Sequence, residues 1–367
     1  MQPKVIICCP TYNQEKYIEQ ALQGLVMQKT NFPFVVHVHD DCSTDDTKNI
    51  ILKYKKLYPE IIIPKFHEYN CFSKGGEFLQ EQLHSDITSE YFGFCDGDDY
   101  WTDEYKLQKQ VDFLDNNPDF SICFNPVEVK YEDDESKNSI FPESEFYKNK
   151  TEFTLEDLLE QNFIATSSAL YRWRKDFNDV FAFGIFPGDW FKHLLHAEKG
   201  KIKIIPEVMG VYRRSAGSVW SGAGEKDSFY LKNGIKFINF YQTVAKRYDY
   251  DYSPQIKWEM KRILLAFLSS GQYDQVSRLA ELDKGIFDSI IDDLRNIDNL
   301  YNGYCESKER QHKIIDDMLK LEVNHSEGMR KLEREIAKKR KKTVQIRYLL
   351  ALSFSLVCFI FYLYFAK

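Results

Sequence analysis

Aspartates occupy three of four consecutive positions of the sequence. Asp96, Asp98 and Asp99 stand in the stretch FCDGDDYW, whose first residues end the apolar run YFGFC. Carboxylates within about 4–6 Å of one another raise each other's pKa and oppose folding unless a cation or a hydrogen-bond donor neutralises them. The stretch therefore predicts one of two features, a solvated turn or a site that holds a metal ion.

Two further polar motifs follow strand-like runs. Pro10, Thr11 and Tyr12 come after VIICC, and Asp40 opens the stretch DDCSTDD after FVVHVH. In a sheet of parallel strands these motifs and the acidic stretch lie at one edge, where α/β proteins bind their ligands. A single acidic turn is usually only a turn, but two acidic clusters at one crevice favour a binding site.

The spacing of apolar residues indicates which elements position these motifs. Strand-like runs alternate with segments whose apolar residues have helical spacing, one of them from Thr47 to Tyr58. Asn13 and Thr102 are predicted to cap the helices that follow the first and fourth strands. This alternation predicts an α/β fold with a mostly parallel sheet and helices on both faces. The predicted strands cover residues 5–9, 34–39, 61–66, 91–95 and 120–125.

Four segments, in their order and spacing, resemble those of the family 2 glycosyltransferases, which have the GT-A fold. They are PTYNQEKYIEQAL, HDDCSTDDT, FCDGDDYWTDEYKLQKQ and, from 188 to 220, GDWFKHLLHAEKGKIKIIPEVMGVYRRSAGSVW. The resemblance implies a Rossmann-like glycosyltransferase domain over residues 1–220. Four ordered motifs are much more specific than a lone DxD.

The resemblance implies that the donor nucleotide binds at the first two motifs. It maps Pro10, Thr11, Tyr12 and Asp40 onto the nucleotide-binding segments of the family. A carboxylate can accept a hydrogen bond from the imide N–H of a base, and an aromatic ring can cover the base or the ribose. For Tyr12, a packing role is the alternative.

In the acidic stretch, the resemblance makes Asp96 and Asp98 the DxD pair, which binds the ribose and a divalent ion. Hard oxygen ligands suit Mg²⁺ or Mn²⁺, which would bridge the diphosphate of a nucleotide sugar. Asp99 is then a supporting or turn residue, and Gly97 permits the tight backbone. The repulsion between the aspartates is tolerated because the ion and the nucleotide sugar complete the site.

An inverting transfer also needs a general base, because the attacking hydroxyl must lose its proton as the new bond forms. Asp189, in FPGDWF, matches the base of the family. The family commonly has Glu-Asp where this chain has Gly188 and Asp189, so a neighbouring carboxylate implicated in acceptor contacts is missing. The alternative role of Asp189 is a helix N-cap ahead of WFKHLL.

The segment YRRSAGSVW places two arginines in a loop that carries Gly and Ser. Because arginine binds phosphate oxygens bidentately, Arg213 or Arg214 is predicted to neutralise the departing diphosphate. Which of the two does so remains open, and a solvated basic turn is the alternative. Trp220 is a candidate platform for the acceptor sugar, and Lys74 is a further candidate for donor contact.

The composition argues against some classes of function. The chain has 367 residues and a net charge of −7, which gives no basic footprint for nucleic acid. Its eight cysteines show no CxxC or Cys/His spacing of the kind that a zinc site needs. We therefore expect buried thiols in a reducing compartment.

The C-terminal region predicts attachment to a membrane. Residues 348–366 carry no charge and are long enough to cross a bilayer as a helix, with a buried core helix as the alternative. Six Lys or Arg in 338–347 precede this segment and only Lys367 follows it, which places the rest of the chain in the cytoplasm. We expect a helical extension over 221–300 and a charged helical stalk over 301–347. The stalk is either solvated or a coiled coil that forms a homodimer.

Together, these features predict a membrane-anchored, cytoplasm-facing, metal-dependent and inverting glycosyltransferase. The expected donor is a nucleotide sugar, in the first place a UDP-sugar. The expected acceptor is a glycan or a lipid-linked molecule of a bacterial surface polysaccharide pathway. A nucleotidyltransferase is the runner-up, but it would not need the GDW segment. A non-catalytic tethering protein is the other alternative, against which the set of Asp96, Asp98 and Asp189 argues.

Overall fold

The structure is a computed structural model. It describes residues 2–74, 88–173, 185–214 and 226–252, with scattered positions from 257 to 292. Trp220, the predicted stalk over 301–347 and the predicted membrane helix over 348–366 lie outside the described residues. Within the described parts of the chain, no helix has the length and apolar character needed to cross a membrane.

The chain divides into two compact units. The first comprises Met1–Glu225 and Asn239–Ser253, and the second comprises Lys226–Ile238 and Pro254–Lys367. Both β-sheets and all the site residues discussed below belong to the first unit.

The described strands form two sheets. The five strands that the sequence predicts are all present, as the first four strands and the sixth. In chain order the strands are β1 (Val5–Thr11), β2 (Phe34–Asp40), β3 (Ile62–Phe66), β4 (Tyr91–Phe94), β5 (Tyr100–Trp101), β6 (Phe120–Phe124), β7 (Val127–Tyr131), β8 (Ser139–Phe141), β9 (Glu152–Phe153), β10 (Leu170–Arg172), β11 (Lys201–Ile204) and β12 (Gly210–Arg214).

The larger sheet has the strand order β3-β2-β1-β4-β10-β6-β11-β9. The first four of these strands are parallel, and β6 and β11 are parallel to each other, whereas β10 and β9 run antiparallel to their neighbours. The prediction of a mostly parallel sheet is thus confirmed. In the register, Thr11 lies opposite Asp40 and Cys8 lies opposite Phe94, so three strands end at one edge of the sheet.

The smaller sheet, with the order β5-β12-β7-β8, is a feature that the sequence analysis did not predict. β5 starts directly after the acidic stretch and pairs antiparallel with β12, which in turn pairs parallel with β7. The acidic stretch therefore has a strand of the larger sheet on one side and a strand of the smaller sheet on the other.

The helices of the first unit cover both faces of the larger sheet, as predicted. Alternate residues of β1, such as Val5 and Ile7, share one core cluster with residues of the first three helices. On the opposite face, the ring of Phe92 stacks on Tyr171, with centroids 5.0 Å apart, and contacts His196 at 5.3 Å. The helices are α1 (Ile18–Val26), α2 (Thr47–Leu57), α3 (Lys106–Asn116), α4 (Ser144–Tyr147), α5 (Leu155–Glu160), α6 (Gly188–Ala197) and α7 (Lys226–Tyr248).

The two predicted helix caps are wrong. α1 begins after Tyr17 and α3 begins after Tyr105, and neither residue makes a side-chain capping hydrogen bond. Asn13 has a positive φ of 50°, and its side-chain oxygen accepts a hydrogen bond from the N–H of Thr44 at 2.8 Å. The N–H of Thr102 donates to a carbonyl of the segment before β12. Both residues therefore bind partners that are distant in the sequence instead of capping a helix.

The described cysteines are free thiols, and all except Cys42 are buried. This agrees with the expectation of buried thiols. Cys305 and Cys358 lie outside the described residues.

Candidate active site

The acidic stretch forms a tight turn at the end of β4. The N–H of Asp99 donates to the carbonyl of Asp96 at 2.9 Å, and the N–H of Gly97 donates to the carbonyl of Pro10 at 3.0 Å. The turn is thus tied to the end of β1. The sequence prediction that the first and third motifs share one edge of the sheet agrees with this contact.

Gly97 allows the turn to approach β1 closely. A Cβ atom at this position would lie 2.4 Å from Oε1 of Gln14 and 2.7 Å from Oγ1 of Thr11. Thr11 donates its hydroxyl hydrogen to the same Gln14 oxygen at 2.7 Å, and a hydrogen bond from Gln14 also lowers the pKa of Asp98. Gln14, which the sequence analysis did not select, therefore connects the two motifs.

The carboxyl groups of the turn bind protons more tightly than usual. Burial, and then the charge of Asp98, raises the pKa of Asp96 to about 7, although Lys192 opposes the shift. Burial also raises the pKa of Asp98, against the charge of Arg213 and the hydrogen bond from Gln14. Among the described residues, no group of three or more His, Cys, Asp or Glu could hold a metal ion. The described residues therefore offer carboxylates that a cation would stabilise, but no group of three such ligands.

Arg213 holds this turn in place. Its backbone N–H donates to Oδ1 of Asp99 at 2.9 Å, and its Nε donates to the carbonyl of Asp98 at 2.8 Å. The other guanidinium nitrogens donate to Glu132 at 2.8 Å and to Gln20 at 2.7 Å. Arg213 is only 6% exposed. Its N–H groups therefore donate to protein atoms and not to a ligand. The sequence analysis predicted that either Arg213 or Arg214 binds the diphosphate. This geometry favours Arg214.

Arg214 has unused hydrogen-bonding capacity. Its Nε is buried and has no partner among the described residues. The guanidinium lies 5.5 Å from the ring centroid of Tyr212 and 5.8 Å from that of Tyr131. Its position at the end of β12, next to residues that the structure does not describe, leaves Arg214 as the candidate for phosphate contact.

The predicted nucleotide residues lie where β1 and β2 end. Thr11 and Asp40 are paired in the register and are 4% and 2% exposed, and Oδ1 of Asp40 accepts a hydrogen bond from the N–H of Ser43 at 3.2 Å. Tyr12 is 44% exposed, which leaves its ring free to cover a base and argues against the packing role. Lys74 is exposed, and its ammonium lies 4.0 Å from the ring centroid of Tyr69.

Asp41 is a buried carboxylate that the sequence analysis did not select as a site residue. It accepts hydrogen bonds from the N–H groups of Cys71 at 2.7 Å and Phe72 at 2.9 Å. Its own N–H donates to the carbonyl of Thr11 at 2.9 Å. Asp41 thereby joins the end of β1 to the start of a short helical turn, Phe72–Lys74.

Asp189 is the second residue of α6, which follows Pro187, so it is not the N-cap of this helix. Burial raises the pKa of the Asp189 carboxyl, while the N–H of Trp190, the charge of Lys192 and the hydroxyl of Thr166 oppose the shift. The Thr166 hydroxyl donates to Oδ2 over a long 3.4 Å. The charge of Asp189 also raises the pKa of Asp96, after the larger effects of burial and of Asp98.

Two further residues near the site were not selected by the sequence analysis. Lys192 lies one helical turn after Asp189, and its ammonium is 3.5 Å from the ring centroid of Phe94. Tyr212 lies among three aspartates that raise the pKa of its hydroxyl, after the larger effect of burial. The spacing of three residues after Asp189 was a usable signal for Lys192, because such positions share a helix face. No comparable signal marks Tyr212.

A family model and several curated proteins match this chain. The family model described as "Glycosyl transferase family 2" matches residues 6–216. The uncharacterised protein Rv1520 of Mycobacterium tuberculosis is 41% identical over 213 residues, which are 58% of this chain and 59% of that protein. The match thus spans about three fifths of this curated relative.

Two shorter matches have functional names. The putative teichuronic acid biosynthesis glycosyltransferase TuaG of Bacillus subtilis is 29% identical over 113 residues, which are 31% of this chain and 42% of that protein. The dTDP-rhamnosyl transferase RfbG of Shigella flexneri is 30% identical over 133 residues, which are 35% of this chain and 44% of that protein.

Proposed function

Because the chain belongs to glycosyl transferase family 2, we propose that it transfers a sugar from a nucleoside diphosphate sugar to a hydroxyl of a glycan or lipid-linked acceptor. The observation that carries this proposal is the placement of α6, which bears Asp189, beside the end of β4, where the ammonium of Lys192 lies 3.5 Å from the ring centroid of Phe94 just before the acidic turn. Family membership confirms the predicted enzyme class at the level of the family. It argues against the nucleotidyltransferase and tethering hypotheses.

A divalent ion, Mg²⁺ or Mn²⁺, fits the acidic turn. Asp96 and Asp98 present two carboxylates whose pKa values are raised chiefly by burial, and a bound cation would favour their charged forms. Mg²⁺ is usually bound by one or two carboxylates together with substrate phosphates and water, so an incomplete protein site is sufficient. Such an ion would supply neutralisation of the charge that develops on the departing diphosphate.

Asp189 is proposed as the general base of an inverting transfer. The acceptor hydroxyl attacks the anomeric carbon from the face opposite the diphosphate, and Asp189 takes its proton as the C–O bond forms. Both its burial and its position in the first turn of α6 suit this role, since the helix N-terminus stabilises the carboxylate form. On the leaving side, Arg214 would contact the diphosphate through its unused N–H groups.

The nucleotide is proposed to bind against the ends of β1 and β2. Tyr12 would cover the base, and Asp40 would accept the imide N–H of a uracil or thymine ring. Both bases carry this group, and the relative RfbG is named as a dTDP-rhamnosyl transferase. UDP-sugars and dTDP-sugars are therefore the first donors to test.

The cellular setting is also a proposal. TuaG is named for teichuronic acid biosynthesis, which supports a surface polysaccharide pathway. Residues 348–366 are proposed to anchor the enzyme, with its catalytic unit in the cytoplasm and with the stalk over 301–347 as a possible homodimer contact. A chain truncated before Tyr348 should be recovered in the soluble fraction and should still bind the donor. A truncated chain that stays with membranes would contradict the anchor.

The direct test is a screen of UDP-, dTDP- and GDP-sugars by thermal shift, with Mn²⁺ and with EDTA. A donor at one hundred times its Kd should stabilise the fold by about 2.7 kcal/mol. The donors that bind should then be hydrolysed slowly or transferred to a soluble acceptor analogue, as detected by release of the nucleoside diphosphate.

The matched control is Asp98→Asn, which keeps the size of the side chain and removes its charge. It should lose the metal-dependent part of the shift without unfolding. If no nucleotide sugar binds or turns over, the function is wrong. If Asp98→Asn behaves like the unmodified chain, only the metal assignment is wrong.

A further inference from the structure

A segment beyond the family match belongs to the same compact unit as the proposed site. The family model ends at residue 216, whereas the first unit also includes Asn239–Ser253. The second half of α7 and the residues directly after it form this segment. Its contacts within the first unit include both ends of α6, the helix that carries Asp189.

The first of these contacts is made by Trp190, the residue directly after Asp189. Its ring centroid lies 4.8 Å from that of Phe240 and 6.1 Å from that of Tyr241, both in α7. Phe240 is fully buried, and Trp190 is 6% exposed. In addition, the indole N–H of Trp190 donates to the carbonyl of Leu158 in α5 at 2.8 Å. Two helices therefore hold the side chain of Trp190.

The second contact joins α7 to Glu198, the residue at which α6 ends. The guanidinium of Arg247 donates to the two carboxylate oxygens at 2.6 and 3.1 Å, and the hydroxyl of Tyr248 donates to Oε1 at 2.6 Å. From Trp190 to Glu198 is eight residues in α6, and from Phe240 to Tyr248 is eight residues in α7. The two helices therefore run side by side in the same direction for about 12 Å.

The position of Asp189 depends on the placement of α6, because the side chain has few contacts of its own. The Thr166 hydroxyl is 3.4 Å from Oδ2, at the limit of a hydrogen bond. Asp189 lies in the first turn of α6, directly before Trp190. A displacement of about 1 Å in an active site can lower a rate by about 10²-fold. The contacts of Trp190 with α5 and α7 thus affect where the proposed base lies.

We propose that Asn239–Ser253 is part of the catalytic unit and that Trp190 is a positioning residue for the proposed base. The packing of Trp190 on α7 holds the first turn of α6 where Asp189 can accept the proton of the acceptor hydroxyl. This inference rests on the proposed function. Neither Trp190 nor Phe240 touches a reacting atom, and both act through Asp189. The sequence analysis assigned residues 239–253 to the helical extension.

The first test compares two variants of the full chain, Phe240→Leu and Phe237→Leu. The first removes the ring that packs on Trp190. The second, the matched control, removes a ring that contacts Phe229 in the same helix, with centroids 5.6 Å apart. In Phe240→Leu, kcat should fall at least about fivefold while the donor Kd stays within about twofold of the unmodified value. Phe237→Leu should change neither quantity.

Asp189→Asn separates positioning from general damage to the fold. Because Phe240 acts through Asp189, adding Phe240→Leu to Asp189→Asn should lower the residual rate by less than about twofold. Trp190→Phe is a milder variant, which keeps a ring against α7 and loses the hydrogen bond to Leu158. Its kcat should fall by about two- to fivefold. An unchanged kcat in both folded single variants, a full additive loss in the Asn background, or a donor Kd that rises as kcat falls would overturn the inference.

A further measurement does not depend on activity. Loss of the ring of Phe240 should make local opening of α6 easier, so its backbone amide hydrogens should exchange at least about tenfold faster in Phe240→Leu than in Phe237→Leu. Equal exchange in the two variants would overturn the inference. If the unmodified chain transfers no sugar, the proposed function fails on its own, and the exchange rates still decide whether α7 holds α6.

Discussion

The acidic turn and the start of α6 are the two halves of the proposed site, and they are held in different ways. Arg213 alone makes four hydrogen bonds of 2.7 to 2.9 Å around the turn. The Asp189 side chain has one hydrogen bond from a neighbouring side chain, of 3.4 Å, and a nearby cation. The donor half is therefore fixed by several short hydrogen bonds from one arginine, whereas the base half relies on the backbone N–H of Trp190, a nearby cation and one long side-chain hydrogen bond.

This difference predicts where substitutions act. Hydrogen bonds to charged groups contribute about 1.5–3 kcal/mol each to stability, so changes around the turn should appear first in folding and in donor binding. The side-chain contacts of Asp189 are fewer and longer, so they contribute less to stability. Changes near Asp189 should therefore appear in turnover.

The largest expected effect is that of Asp189→Asn. The amide keeps the shape of the side chain but cannot accept a proton, and loss of a general base typically costs about 10²–10⁴-fold in rate. Turnover should fall within this range while the donor Kd is unchanged, as measured by steady-state kinetics and titration calorimetry. Loss of donor affinity in proportion to rate would place Asp189 in the donor half and break the comparison.

Arg213→Met should have the next largest effect, of the opposite kind. The variant loses the hydrogen bonds to Asp98, Glu132 and Gln20, and we expect unfolding to become easier by about 2–4 kcal/mol, since Glu132 is one-third exposed and is partly screened by solvent. Chemical denaturation measures this change. The adjacent Arg214→Met is the matched control. It should change the free energy of unfolding by no more than about 0.5 kcal/mol and should weaken donor binding. Equal melting temperatures of the two variants would contradict the proposal that Arg213 holds the turn.

The pH dependence of donor binding should be of intermediate size. The pKa of Asp96 is raised to about 7, so below pH 7 a proton occupies the carboxyl group that the metal and donor need. Apparent affinity in Mn²⁺ should therefore fall as the pH falls below 7, by up to about tenfold per pH unit from this one group. Asp96→Asn should bind weakly at all pH values and remove this dependence. An affinity that is flat between pH 5.5 and 7.5 would show that Asp96 is not a ligand.

Thr166→Val should have the smallest effect. It removes a single long hydrogen bond to Asp189 and keeps the side-chain shape, so we expect a loss of about fivefold or less in kcat, equivalent to about 1 kcal/mol. Donor affinity and melting temperature should stay the same. A loss as large as that of Asp189→Asn would mean that this one hydrogen bond sets the position of the base.

The sequence predicted the positions of the carboxylates better than their surroundings. Asp40 and Asp96 could be selected because each follows an apolar run, and such positions lie at sheet edges, whereas Asp189 was selected by the resemblance to the family. Asn13 and Thr102 were misread as caps, because their partners come from segments distant in sequence. Local patterns do not encode those partners.

The same limit explains the arginines and the smaller sheet. Arg213 and Arg214 are adjacent, and only the pairing of β12 with β5 and β7 turns the first toward the acidic turn. β5 has two residues, too few to show an alternating pattern. Lys192 could have been found from its helical spacing to Asp189, whereas its approach to Phe94 depends on how α6 packs on the sheet.

The hydrogen bonds between Arg213 and the acidic turn have a consequence for the order of events during protein synthesis. Arg213 is bonded to partners 114 and 115 residues earlier in the chain. On the ribosome, the acidic turn is synthesised long before Arg213, and β5 is synthesised long before β12. Closing contacts across such a long loop is slow, and nascent domains usually complete folding as units. A nascent chain that stops before Arg213 would expose three crowded carboxylates and an unpaired strand, so we expect this unit to depend on chaperones until β12 has emerged.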